Sequence, residues 1–341
     1  MAIGLTLIVG VVLAGCGQRE PAAESWELSG DTMGTRYHVT LPGAVDDAEK
    51  RQLENSIEAV LESVDAQMST YRPDSALSVF NRSSSTEWLD APPPLAAVIE
   101  QALEFSRLSG GAFDVTVGPL VNLWGFGPAE RIEAAPEAAE IAGVKSRVGF
   151  QNLSVRTAPP AIRKAISGLY VDLSAIAKGY AVDRVARVLD ETGRADYLVE
   201  IGGEVRTRGR NAAGEAWRIA IEQPLDDTRA VQRVVALSGQ SMATSGDYRN
   251  FFEIGGQRYS HTIDPHTGAP VRHRLASVSV VAASAAAADA LATALLVLGP
   301  EAGRDLAERE GIAALFISRA DGGFEVRTTA GFPPSAVIGD Q

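Results

Sequence analysis

The apolar patterns of this chain predict an α+β fold, made of mixed sheets with flanking helices. Segments with alternating apolar residues, typical of strands, and segments with apolar residues at helical spacing follow one another in an irregular order. A strict strand–helix–strand alternation, which would indicate a parallel sheet, does not occur, and the sequence has no fixed-period repeat. The 341 residues suffice for one large domain or two closely joined ones.

The N-terminal part of this pattern gives one strand signal and two helix signals. Residues 26–41 are predicted to form a strand, because apolar residues alternate over its second part. Asp46 is placed to cap a long helix whose apolar positions recur from residue 53 to residue 68. Residues 95–108 are predicted to form a second amphipathic helix, which a glycine pair closes.

The rest of the chain carries mixed signals in the same way. It predicts a turn and helix over residues 172–189, strands over 197–201, 217–221 and 234–237, helices over 284–298 and 301–310, and a hairpin of 313–317 with 324–326.

The N-terminus has the features of an export signal. Residues 1–16 are apolar but too few to span a bilayer as a mature helix, and their end, Leu13-Ala14-Gly15-Cys16, resembles a bacterial lipobox, in which the cysteine is diacylated. We expect a lipoprotein signal peptide over 1–16, a tether over 17–25 and the functional domain over 26–341. The protein would then be an exported lipoprotein, lipid-anchored at Cys16 on the periplasmic side of the inner membrane. A buried apolar N-terminal segment is the alternative.

Charge and cysteine content exclude some classes of function. The formal net charge is −12, which argues against a nucleic-acid partner, since a phosphate backbone requires a basic face. The chain has one cysteine, so an intramolecular disulfide and a metal site built from cysteines are both excluded.

A carboxylate and a hydroxyl near the C-terminus suggest a metal site. Asp289 and Thr293 are four residues apart in a predicted helix, so their side chains share one face. Hard oxygen donors suit Mg²⁺, and Mg²⁺ commonly accompanies a phosphate, which favours phosphoryl-transfer chemistry over simple binding. The alternatives are a solvent-facing acid and a threonine hydrogen-bonded to its own helix.

Several short motifs, taken together and in this order, resemble the ApbE family of flavin transferases, which move FMN from FAD to a Ser or Thr of a target protein. The resemblance covers about residues 28–330. The motifs are Met33-Gly34-Thr35, Gly110-Gly111-Ala112-Phe113-Asp114, Asp172-Leu173-Ser174-Ala175-Ile176-Ala177-Lys178-Gly179, Ile201-Gly202-Gly203-Glu204, Thr244-Ser245-Gly246-Asp247-Tyr248, His261-Thr262-Ile263-Asp264-Pro265-His266-Thr267-Gly268 and Ala288-Asp289-Ala290-Leu291-Ala292-Thr293.

The resemblance implies a domain of two intimately joined lobes, with FAD in the cleft between them and Mg²⁺ at its diphosphate. Asp289 and Thr293 would bind Mg²⁺ through their side chains, and Ala175 through its backbone carbonyl. The residues that fall where the family contacts FAD are Met33, Tyr71, Ala112, Phe113, Asp114, Asp172, Lys178 and Ile263.

Other roles remain open for several of these residues. Asp172 could cap the helix that follows it, and Ala175 could simply be a small residue in a tight loop. Phe113, Tyr71 and Met33 could belong to the core instead of contacting a ring of the ligand.

The expected reaction needs a general base. FMN transfer requires a hydroxyl to attack the flavin-side phosphorus while AMP leaves, and Mg²⁺ would neutralise the diphosphate. His261 is our candidate for the base, because imidazole titrates near neutrality; a structural histidine is the alternative. Arg249 could pair with phosphate or with carboxylates of the target, or form a surface salt bridge.

We therefore expect an Mg²⁺-dependent FAD:protein FMN transferase whose partners are FAD and proteins with a Thr or Ser flavinylation motif, such as membrane redox subunits. An FAD pyrophosphatase, which would release FMN and AMP with water as the nucleophile, is the first alternative. A lipoprotein that binds flavin without catalysis is the second.

Overall fold

The computed structural model describes residues 24–127, 132–225 and 228–336. The predicted signal peptide, Cys16 and all but the end of the predicted tether lie outside the described residues.

Most strands are short and several belong to hairpins. In chain order they are β1 (Ser25–Thr32), β2 (Thr35–Pro42), β3 (Leu89–Asp90), β4 (Leu153–Thr157), β5 (Pro160–Lys164), β6 (Tyr197–Ile201), β7 (Glu204–Arg208), β8 (Trp217–Glu222), β9 (Val231–Leu237), β10 (Ser241–Gly246), β11 (Phe251–Ile254), β12 (Gln257–Ser260), β13 (Ile263–Asp264), β14 (Ala269–Pro270), β15 (Leu275–Ala282), β16 (Ala313–Ala320) and β17 (Gly323–Thr328).

The α-helices range from single turns to long core helices. They are α1 (Asp47–Met68), α2 (Ala76–Arg82), α3 (Pro93–Leu108), α4 (Gly118–Leu123), α5 (Ala138–Lys145), α6 (Ala177–Glu191) and α7 (Ala285–Arg309).

The main sheet contains strands from both ends of the described chain, at its two opposite edges. It has eight strands in the order β1-β2-β6-β7-β10-β15-β16-β17, and each neighbouring pair is antiparallel. Smaller sheets are formed by β3-β5-β4, β8-β9, β11-β12 and β13-β14. Helices α1 and α6 pack together near the β1–β6 side, whereas α7 packs on β10, β15 and β16. This arrangement confirms the predicted α+β class.

The single strand predicted over residues 26–41 is wrong in one respect, because the segment is a hairpin. Met33 and Gly34 form a two-residue turn with φ of 49° and 72°, and Thr32 pairs with Thr35 across it. Positive φ at both turn positions matches the right-handed twist of the two strands. A methionine in this conformation is strained, which indicates a special role for the tip of the hairpin.

The start of α7 is fixed on α6. The Asp183 carboxylate of α6 accepts hydrogen bonds from the backbone N–H groups of Ala285 and Ala286, both at 3.0 Å. Gly179 lies so close to α7 that a Cβ there would overlap the Ala285 carbonyl. The absence of a side chain at Gly179 therefore lets the two helix N-termini touch.

The two helices expected over residues 284–298 and 301–310 are confirmed as the two parts of α7, because the backbone of Gly299 between them is not helical. The kink lies at Gly299, whose φ is 83°, and Pro300 follows it. Among the described residues, α7 is the helix long and apolar enough to cross a membrane, but 67% of its most apolar window is buried inside the protein. We therefore describe α7 as a core helix.

Candidate active site

A cavity of about 530 Å³ opens between the β1–β2 turn, the N-terminus of α6, the first half of α7 and the loops around residues 112 and 248. This volume is in the range of small-molecule and cofactor sites. Every site residue predicted from the sequence lines it, namely Met33, Tyr71, Ala112, Phe113, Asp114, Asp172, Ala175, Lys178, His261, Ile263, Asp289 and Thr293.

Asp289 and Thr293 project from α7 into this cavity. Asp289 is only 4% exposed, so the solvent-facing alternative is wrong, and its Oδ2 accepts a hydrogen bond from the Gly179 N–H at 3.1 Å. Burial raises the pKa of Asp289, against the opposing effects of Lys178 and the Gly179 hydrogen bond. The Thr293 hydroxyl lies 3.0 Å from the Ser245 hydroxyl, which ties α7 to β10.

Lys178 and Glu204 form an ion pair at the same wall. The Lys178 ammonium donates to Glu204 Oε1 at 2.7 Å, and the lysine stem passes close to Gly202. Burial works to lower the pKa of Lys178, but Glu204 and Asp289 outweigh burial and raise it. Lys178 therefore keeps its positive charge inside the cavity.

Ala175 and Asp172 lie in the turn that leads into α6. The Asp172 carboxylate accepts hydrogen bonds from the backbone N–H of Ser174 at 2.9 Å and from its hydroxyl at 2.6 Å. The Asp172 N–H donates to the Val115 carbonyl at 2.7 Å, which joins this turn to the loop after α3. The turn places Ala175 in the cavity lining, where the predicted carbonyl ligand would have to lie.

His261 is held by the backbone of Asn250. Its N–H donates to the Asn250 carbonyl at 3.1 Å, and its ring Nδ1 lies 3.0 Å from the same oxygen. Because a carbonyl only accepts, Nδ1 carries the proton and the lone pair of the neutral ring is at Nε2. Burial lowers the pKa of His261, and Lys178 lowers it further, although Asn250 opposes the change. The imidazole is therefore neutral at physiological pH, the form a general base needs.

Asp114 and Phe113 are buried beneath the cavity. Asp114 Oδ1 accepts from the Thr116 N–H at 2.8 Å and from its hydroxyl at 2.6 Å, and Oδ2 accepts from the Phe150 N–H at 2.9 Å. Phe113 is 2% exposed and makes an edge contact with Phe105, with ring centroids 6.3 Å apart. Both side chains stabilise the loop that contains Ala112. Phe113 therefore packs in the core, which is the alternative role considered for it from the sequence.

Tyr71 and Met33 stand at the rim, and Ile263 lines the wall. Tyr71 is 66% exposed, which is unusual for a large aromatic side chain, and its ring is open to a ligand. Met33 is partly buried at the tip of the first hairpin. Ile263 is 5% exposed and belongs to the short strand β13.

Arg249 pairs with Glu222 at the outer edge of the cavity, and Arg229 adds a weaker ion pair at 3.9 Å. Asp247, two residues before Arg249, accepts two hydrogen bonds from Arg319, at 2.6 and 2.8 Å. These ion pairs fasten the 246–250 loop on the sheet, and this loop supplies the carbonyl that orients His261.

Comparison with known proteins agrees with this geometry. A family model described as the ApbE family matches residues 33–316. The FAD:protein FMN transferase of Vibrio cholerae is 45% identical over 324 residues, which cover 95% of this chain and 96% of that protein. The chain belongs to the ApbE family.

Other members of the ApbE family are similar over the same length. The FAD:protein FMN transferase of Escherichia coli K12 is 40% identical and covers 94% of this chain and 93% of its own. The solved flavin transferase ApbE from Vibrio cholerae aligns with a TM-score of 0.84 at 44% identity, over 91% of this chain and 98% of that one. The apo flavinyl transferase ApbE of Pseudomonas stutzeri aligns with a TM-score of 0.82 at 42% identity, over 90% of this chain and 95% of that one.

The residues present fit a magnesium ion in this ApbE-family chain. Asp289 offers a buried carboxylate, Thr293 a hydroxyl and Ala175 a backbone carbonyl, all oxygen ligands of the kind that Mg²⁺ prefers. The described residues contain no cluster of three or more His, Cys, Asp or Glu, so the other ligands would be water and phosphate oxygens, as is usual for Mg²⁺. A bound cation would also offset the cost of burying the Asp289 charge.

Glu204 ends the motif Ile201-Gly202-Gly203-Glu204, and the sequence alone assigns no role to its side chain. It is 3% exposed, lines the cavity and pairs with Lys178. Its place in the motif Ile201-Gly202-Gly203-Glu204 is the signal that could have singled it out, because a glutamate is rarely buried without a partner. The partner could not be deduced, because Lys178 is 26 residues away in the sequence.

Proposed function

We propose that this enzyme is an Mg²⁺-dependent FAD:protein FMN transferase, which transfers FMN from FAD to a Thr or Ser hydroxyl of a target protein and releases AMP. The observation that carries the proposal is the convergence of all the predicted ligand, metal and base residues on one cavity. The names of relatives that match nearly the whole chain support it.

The chemistry assigns a role to each side of the cavity. The acceptor oxygen forms a bond to the flavin-side phosphorus, the bond from that phosphorus to the bridging oxygen breaks, and AMP leaves with the electron pair. His261, neutral and with its lone pair at Nε2, takes the hydroxyl proton. Lys178, which keeps its positive charge inside the cavity, would attract the diphosphate.

Mg²⁺, when bound, would neutralise the diphosphate and stabilise the leaving oxygen. Asp289, Thr293 and Ala175 would hold it. Asp289 is the one charged ligand in this set, and its position is fixed by the Gly179 N–H. The protein therefore contributes mainly preorganised charge and positioning, as is common in phosphoryl transfer.

We also propose that the protein is an exported lipoprotein, anchored by a diacylated Cys16 at the periplasmic side of the inner membrane. The lipobox-like Leu13-Ala14-Gly15-Cys16 supports this proposal. Mass spectrometry of the membrane fraction tests it: a lipid adduct on Cys16 is expected, and an unmodified Cys16 in the mature membrane protein would contradict it.

The reaction is tested by incubating the purified protein with FAD, Mg²⁺ and an acceptor protein that bears a Thr-containing flavinylation motif. We expect AMP release in step with a covalently fluorescent acceptor band. AMP and FMN release without labelling, tested over several acceptors, would indicate a pyrophosphatase. FAD binding without AMP release would indicate a flavin-binding lipoprotein.

A further inference from the structure

Glu204 has one carboxylate oxygen that the protein itself does not use. Oε1 accepts a hydrogen bond from the Lys178 ammonium at 2.7 Å, whereas Oε2 is buried and has no hydrogen-bond partner among the described residues. The residue is 3% exposed and lines the cavity. A buried polar atom without a partner costs folding free energy, so its retention calls for an explanation.

The surroundings restrict what can pair with Oε2. A second divalent cation is disfavoured, because the Lys178 ammonium is already 2.7 Å from the other oxygen of the same carboxyl group and would repel it. A phosphate oxygen could accept a hydrogen bond only from the protonated acid, and the ionised carboxylate would repel it. A hydroxyl is the best match, because it can donate to the ionised carboxylate and accept from the protonated acid.

We infer that Glu204 is a substrate-binding residue whose Oε2 forms a hydrogen bond with a sugar hydroxyl of the bound flavin nucleotide, while Oε1 holds Lys178. The inference rests on the proposed function, since FAD carries such hydroxyls on both sides of its diphosphate, in the ribityl chain and in the adenosine ribose. Both sources share the same chemistry, which is a sugar hydroxyl close to a phosphate.

The test compares ligands that share phosphate but differ in their hydroxyl groups. Dissociation constants are measured for FAD, FMN, ADP and inorganic pyrophosphate, with the wild type and with Glu204→Met, which removes both carboxylate oxygens. We expect Glu204→Met to weaken FAD binding by about tenfold or more, which is the effect of losing a hydrogen bond to a charged group. The same loss of affinity should occur for FMN if the hydroxyl belongs to the ribityl chain, or for ADP if it belongs to the ribose. The affinity for pyrophosphate should fall less.

Control variants separate this role from a general disturbance. Glu204→Gln should recover most of the affinity, because its amide can still pair with a hydroxyl. Glu200→Gln should bind all four ligands like the wild type, since Glu200 bonds the Gly203 N–H and does not line the cavity. Equal losses for pyrophosphate and FAD would mean that Glu204 acts only through Lys178, and unchanged FAD binding would also overturn the inference.

Two further outcomes are informative. If circular dichroism shows that Glu204→Met is unfolded, Glu204→Gln is measured at about pH 9, where the ionised wild type makes the stronger, charge-assisted bond. A selective loss of several-fold is then expected, and a uniform loss or none overturns the inference. If the wild type binds FAD and the Glu204 variants bind it equally well, the inference fails but the proposed function stands. If the wild type itself binds no FAD, the proposed function is contradicted.

Discussion

At the scale of single residues, the site is defined by charged groups that are kept away from water. Asp289 and Glu204 are almost fully buried, and the Lys178 ammonium lies between helix and sheet as their counter-charge. A buried carboxylate is expensive unless a cation pairs with it. The two acids outnumber the one lysine in this cluster, and this imbalance suits a site that takes up Mg²⁺.

Asp289→Asn should reduce FMN transfer by at least about a hundredfold and remove its response to Mg²⁺, because the variant loses the charged ligand while keeping its shape. Initial rates over a range of Mg²⁺ concentrations measure this. Asp305→Asn, an exposed position on the same helix, should behave like the wild type. A normal Mg²⁺ response in Asp289→Asn would show that the metal site lies elsewhere.

His261→Ala should lose part of its activity and regain some of it at alkaline pH, where the acceptor hydroxyl ionises more readily. In the wild type, burial and Lys178 lower the pKa of His261, so the neutral base persists below the ordinary titration range of histidine. The acid limb of the wild-type profile should therefore fall below about pH 6.5. A variant that matches the wild type at every pH would remove His261 from the mechanism.

At the scale of secondary-structure elements, the junction of α6 and α7 sets the geometry of the proposed metal site. Asp183 caps the start of α7, and Gly179 both allows the close approach and donates to Asp289. One residue of α6 thus controls the distance between the helices and the direction of the carboxylate.

Gly179→Ala should destabilise the protein by about 1–3 kcal/mol through overpacking, and should weaken Mg²⁺ activation as the hydrogen bond to Asp289 is displaced. Thermal unfolding and Mg²⁺ titration measure the two effects. The matched control is Gly143→Ala in α5, where a Cβ meets no atom within 4 Å; it should raise stability by about 0.5–1 kcal/mol. Equal effects of the two substitutions would contradict the role given to the junction.

Sequence patterns were most successful where local physics dominates. Asp46 caps α1 as predicted, accepting hydrogen bonds from Ala48 and Glu49, and β6 has its predicted bounds. The turn at Met33 was missed, because apolar residues alternate on both sides of it and only Gly34 signals the reversal. The family motifs named the groups around the cavity, but contacts between distant segments, such as Lys178 with Glu204, depend on the tertiary fold and leave no local signal.

At the scale of the whole molecule, the buried acids couple folding to pH and, through the proposed metal site, to Mg²⁺. Burial raises the pKa of Glu204 to about 8, and Asp289 is shifted upward as well. The folded protein therefore holds protons on these acids that the unfolded chain releases, so the contribution of Glu204 to the stability of the metal-free protein should fall as pH rises from about 4.5 to about 8, with Asp289 acting in the same sense. Mg²⁺ bound at the proposed site would pair with the ionised form of Asp289 and should reduce this loss.

The measurement is the unfolding temperature in EDTA and in Mg²⁺ between about pH 5 and pH 9. We expect a decline of several degrees in EDTA and a smaller one in Mg²⁺, since about 1 kcal/mol corresponds to a few degrees in a protein of this size. Asp289→Asn should flatten the EDTA curve. Identical slopes with and without Mg²⁺ would argue against metal binding at the buried acids.

The cavity wall has a further consequence for how the protein is made. Its lining runs from Met33 in the first hairpin to Val297 in α7, and the main sheet joins the segments between them. A ribosome releases these groups in order, so a growing chain cannot complete this cavity until α7 has emerged. Chains that terminate before α7 lack Asp289 and Thr293 altogether, so a truncated chain cannot assemble the proposed nucleotide site.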